Sequence, residues 1–137
     1  MRRALLATAA MNLMGALAFT PWGEPVRALA GMPAGAHPVY LLTIGVFILT
    51  FGVAYLWTGL SGRADPLFIA VAAAGKLSFF GLLTAFWLAG ELPLRAPVTA
   101  VGDLVFGALF LVWLARVDFG RRALPAAEHA DRLAPSA

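Results

Sequence analysis

The chain has 137 residues, 61% of them hydrophobic and 12% charged, which is more apolar surface than one soluble domain of this length can bury. Its formal charge of +3 comes from arginines placed singly or in pairs at the ends of apolar runs, a membrane-topology pattern that excludes a nucleic-acid-tracking face. The absence of cysteine excludes disulfides, thiolate catalysis, and cysteine-ligated zinc or iron–sulfur centres.

A helix needs about 20 apolar residues to cross the ~30 Å hydrocarbon layer, where only helices and closed barrels satisfy their own backbone. Four such runs follow in order. The first extends from about Ala4 to Thr20 and is closed by PWGEP; the second, from about Val39 to Leu60, is closed by SGRADP. The third extends from about Leu67 to Ala89 before GELPLRAP, and the fourth from about Val98 to Ala115, ending at Arg116. Each break carries Gly and Pro, which end helices, and the short connectors make neighbouring helices antiparallel. Arg2 and Arg3 before the first run and Ala28–Ala30 after it resemble in outline a secretory signal and its cleavage site. The apolar run stops about ten residues before that site, with Glu24 and Pro25 between, so we read it as a retained span. Cleavage would leave three helices.

Arg2, Arg3, Arg63, Arg116, Arg121 and Arg122 flank the spans on one side, against Arg27 and Arg95 on the other. The positive-inside rule then places both termini in the cytoplasm. Trp22, Tyr40, Trp57, Trp87 and Trp113 lie near span ends, where amphipathic rings favour the headgroup layer. Residues 123–137, small, polar and Pro-bearing, read as a disordered cytoplasmic tail following a membrane domain over residues 1–122.

Lys76 is the chain's only lysine and lies in the middle of the third run. It is ~13 Å from the cytoplasmic edge at 1.5 Å per residue, and a lysine that deep needs a partner or a route to water. Snorkelling toward the helix N-terminus recovers ~6 Å of that depth. Asp103 is the only acid inside a span. Its depth differs from that of Lys76 by ~5 Å counted from the cytoplasmic ends and by ~12 Å counted through the shared loop, so direct and water-bridged contacts both remain open. Asn12 is almost level with Lys76, on a face with Thr8, Gly15, Ala16 and Phe19 of the small and polar kind that membrane helices turn toward one another. Asn12, Lys76 and Asp103 are therefore expected to form one polar cluster, with Tyr55, Ser78 and Thr50 as outer members. Such a cluster serves either as interhelical glue or as a ligand or ion site. On the third span Ala70, Ala74, Ser78, Gly81 and Ala85 form a seam roughly opposite Lys76, so only one of the two faces can look inward. Gly45, Gly52 and Gly59 recur every seven residues on the second span, a groove for close helix approach.

Neither His37 nor His129 lies in a span, so no axial haem ligands or histidine metal cluster form there. His37 reads as a solvated loop residue. No Ser/His/Asp set, phosphate loop or pair of catalytic carboxylates can be assembled, and neither a cofactor nor a metal site is expected. The order of a first span, the loop ALAGMPAGAHP, a second span ending in GLSGR and two further spans resembles DoxX-type small bacterial membrane proteins. It is also similar to four-helix proteins with stretches like FGVAYLW, GKLSFF and GDLVFG. The resemblance implies the four-helix membrane fold. Many DoxX proteins carry an acid before the glycines of the second span and LLTIGVFILTFGVAYLW has none, so their quinone-linked or redox role is not carried over.

The sequence thus predicts an all-α, four-transmembrane-helix antiparallel bundle in the inner membrane of a bacterium, an origin that its richness in Ala and Arg suits. The expected role is non-enzymatic: an accessory subunit, self-associating or bound to a larger membrane complex, or a ligand-binding bundle. In the second case Lys76, Asp103, Asn12 and Tyr55 hold an anionic or quinone-like head. The alternative is a small transporter in which Lys76 and Asp103 exchange protons or partners.

Overall fold

The computed structural model describes the backbone of residues 1–132 and the side chains of residues 1–117. Among the described residues it is all-helical, without strands. The order is α1 (Arg2–Ala18), a 3₁₀ turn (Pro21–Gly23), α2 (Glu24–Leu29), α3 (Pro38–Ser61), α4 (Pro66–Leu88), α5 (Arg95–Thr99) and α6 (Val101–Arg132). Prolines occupy the first turns of α3 and α4, where their missing N–H costs nothing. His37 and Asp65 cap those helices by accepting from Val39 N at 3.2 Å and Phe68 N at 2.9 Å. Gly62, with φ +71°, closes α3 in the left-handed conformation that glycine adopts without strain.

Among the described residues two helices, α3 and α4, are long and apolar enough to cross a membrane. A third span results if α1 and the segment Pro21–Leu29, bent by 91°, are taken together. The first 18 residues of α6 contain Asp103, Arg116 and Asp118, a charge load that sets this helix apart. The helix also continues to Arg132, ten residues into the stretch expected to be disordered. The remainder of the expected tail, residues 133–137, lies outside the described residues.

The helices pack as two antiparallel pairs, α1 on α3 and α4 on α6. The glycine groove of α3 receives α1 along its whole length. A Cβ at Gly45 would lie 3.2 Å from Phe19, at Gly52 3.3 Å from Asn12 and Leu13, and at Gly59 2.9 Å from Leu6. In the other pair, a Cβ at Gly107 would lie 2.7 Å from Leu77. The core between the pairs holds Leu5 and Ala9 of α1, Tyr55 of α3, Ile69, Ala72 and Ala73 of α4 and Phe110 of α6. Tyr55 joins α3 to the second pair, its ring 5.5 Å from that of Phe68 and 6.0 Å from that of Phe110.

The connectors do not simply cap the bundle. Ala96, Pro97 and Ala100 are buried as α5 returns along α4. Consequently α6 begins at Val101, three residues later than the sequence suggests, and well below the end of α4.

Candidate functional site

Lys76 faces the interior. It is 5% exposed on the face of α4 that also buries Ile69, Ala72, Ala73 and Leu83, a set spaced to fall on one side of a helix. Its amine Nζ donates to Asp103 Oδ1 at 2.6 Å and to Asn12 Oδ1 at 3.0 Å. It also lies 5.7 Å from the centre of the Tyr55 ring, within the range of a cation–π contact. Asn12 in turn donates through Nδ2 to the backbone carbonyl of Ile48 at 3.3 Å. One chain of polar contacts therefore touches each long helix once: Ile48 on α3, Asn12 on α1, Lys76 on α4 and Asp103 on α6.

The local structure explains each placement. Asn12 reaches the α3 backbone because Gly52 lets α1 approach at that level. Asp103 reaches Lys76 because α6 starts so far down. Lys76 lies twelve residues before the end of α4, about 18 Å along its axis, yet it meets the third residue of α6. A depth counted through the loop from an α6 beginning at Val98 overestimates the gap for this reason. Asp103 also sits in the first turn of α6, where the helix dipole favours a negative charge.

Of the remaining residues expected in the cluster, Tyr55 is 2% exposed and packs beside the amine. Ser78 and Thr50 are not part of it. Ser78 is exposed, and Thr50, also exposed, donates to Val46 O of its own helix at 2.8 Å. Both lie on the outward sides of their helices, away from α1. The seam of Ala70, Ala74, Ser78, Gly81 and Ala85 is exposed throughout, which settles which face of α4 looks inward.

Three residues have surroundings that sequence patterns do not reveal. Thr8, one turn before Asn12, is fully buried and its hydroxyl has no hydrogen-bond partner. Arg27 donates through Nη1 to the carbonyls of Ala18 and, at 3.1 Å, of Thr20, satisfying acceptors that the end of α1 leaves open. His37, expected as a solvated loop residue, caps α3 and meets the Tyr40 ring edge-on at 6.2 Å.

A buried lysine with a carboxylate, an amide oxygen and an aromatic face is electrically neutralised and largely saturated with partners. Among the described residues no group of His, Cys, Asp and Glu could hold a metal ion. No protein family, curated protein or solved structure matches the chain, so the resemblance to DoxX-type proteins stands on the quoted stretches alone.

Proposed function

We propose that the chain is a non-catalytic, four-pass inner-membrane protein of bacterial type, with both termini cytoplasmic, that serves as an accessory subunit. Its Asn12–Lys76–Asp103 cluster acts as a clamp between the two helix pairs. The observation that carries this reading is the polar chain in which each long helix contributes one link. Lys76 already has its counter-ion and a second acceptor, so an anionic or quinone-like head would have to displace Asp103 before using the charge. The exposed small-residue seam of α4 supports an accessory role, since such faces admit close approach of another helix.

A second reading, an ion-coupled carrier, is favoured by one asymmetry. Asp103 is 19% exposed against 5% for Lys76, and it sits at a recessed helix N-terminus, the kind of discontinuity used by transporters.

Paired variants separate these readings. For a clamp, Lys76→Met destabilises the detergent-solubilised protein by about 3 kcal/mol by stranding the carboxylate, and adding Asp103→Asn restores most of that loss. Thermal unfolding reads the stability and native mass spectrometry the bound molecules. A small molecule that co-purifies with the wild type and disappears from a well-folded double variant makes the cluster a ligand site. Proton or ion flux in proteoliposomes, abolished by Asp103→Asn, makes the protein a carrier.

A further inference from the structure

Away from the polar cluster, at the end of the bundle where α1 stops and α3 begins, a cleft of about 360 Å³ opens between α2, the following loop and the first turns of α3. Its walls combine two opposite charges, Glu24 and Arg27, with Phe19, Leu41 and Leu42. The charges do not neutralise one another, since the described residues contain one ion pair, Lys76–Asp103. Arg27 uses only Nη1 for the carbonyls of Ala18 and Thr20, leaving its other nitrogens without partners among the described residues. Ala34, Gly35 and Ala36 also line the cleft, and their N–H groups enter no backbone hydrogen bond. The site thus brings a guanidinium, unpaired loop amides and a carboxylate to one cleft, the recognition pattern for a molecule bearing both a phosphate and an ammonium group.

The surroundings identify the source of that molecule. From Leu42 an exposed stripe continues down α3 through Val46, Leu49 and Val53, spaced to fall on one helix face that flanks the glycine groove about a quarter turn away. Beside the cleft, the segment Pro21–Leu29 turns 91° from α1 and exposes Trp22, Val26 and Leu29. An apolar face lying across the end of a spanning helix suits the headgroup boundary. We propose that this cleft binds the headgroup of a membrane phospholipid with a primary amine, of the phosphatidylethanolamine type. Its phosphate meets Arg27 and the 34–36 amides, its ammonium meets Glu24, and an acyl chain runs along Leu42, Val46, Leu49 and Val53. The inference rests on α3 spanning a membrane, but on no part of the clamp or carrier readings.

The test is native mass spectrometry of the full chain in mild detergent, titrated with phosphatidylethanolamine, phosphatidylcholine or phosphatidylglycerol of matched chains. Wild type should retain phosphatidylethanolamine about two- to fivefold more than either of the others, the range of one partly solvated charge contact. Glu24 is exposed and makes no hydrogen bond among the described residues, so its variants leave the fold unchanged. Glu24→Gln should abolish the preference over phosphatidylcholine, and Glu24→Lys should shift it toward phosphatidylglycerol. Competition by soluble glycerophosphoethanolamine at equal concentration would reassign the site to a free headgroup and overturn the lipid assignment. Equal retention of all three lipids, or a preference unmoved by both Glu24 variants, overturns the site. A chain that separates into the aqueous phase without detergent refutes the membrane reading itself, a failure distinct from a detergent-soluble protein lacking lipid preference.

Discussion

Thr8 shows how unevenly the polar groups of α1 are served. Asn12 uses both ends of its amide, whereas the Thr8 hydroxyl one turn away is buried without a partner, an arrangement that costs free energy. Thr8→Val keeps the shape and removes the stranded group, so it should raise stability by about 1 kcal/mol. An unfolding midpoint lower than that of the wild type would mean that the hydroxyl has a partner in the membrane. At this scale the sequence was informative about Asn12 and Lys76, whose matched depths can be counted from a shared end. It left the approach of Asp103 open, because that distance depends on how far the chain descends between Leu88 and Val101. No residue pattern encodes that descent; burial of Ala96, Pro97 and Ala100 reveals it only after folding.

At the scale of elements, glycines divide into those that touch and those that do not. Gly52 and Gly59 face α1, where an added Cβ would lie 3.3 Å from Asn12 and 2.9 Å from Leu6. Gly81 on the outward face of α4 has nothing within 4 Å of the same position. Gly52→Val should therefore separate α1 from α3 and destabilise by about 1–3 kcal/mol, with loss of the Asn12 link. Gly81→Ala should stabilise by up to about 1 kcal/mol through helix propensity, unless a partner helix occupies that face. Thermal unfolding of the two variants in one detergent checks both signs. The seven-residue spacing on α3 made its groove legible because helical periodicity turns spacing into a face. The breaks after α1 and before α6 were legible as Gly/Pro punctuation, but the 91° turn of α2 and the inward return of α5 were not. Those depend on contacts between distant segments, such as Arg27 with the end of α1, or Gly31, whose Cβ would lie 2.8 Å from Arg95 Nε.

For the whole molecule, the proposed orientation has a direct check, because a chain without cysteine tolerates a single reporter. A membrane-impermeant maleimide should label Ala34→Cys in intact cells, and Ala64→Cys only after permeabilisation. Both positions lie in connectors between helices. The reverse pattern would invert the bundle, and labelling of both in intact cells would place neither connector in the cytoplasm.

The contacts of Lys76 are also ordered in time. Its amide partner lies 64 residues upstream and its carboxylate partner 27 residues downstream. At about 5–20 residues per second of synthesis, Asp103 emerges roughly 1–5 s after the lysine. A ribosome feeding this chain into a bilayer therefore delivers the cation before its counter-charge exists. During that interval Asn12, already in place on the first helix, is the one acceptor among the lysine's two partners that can receive it.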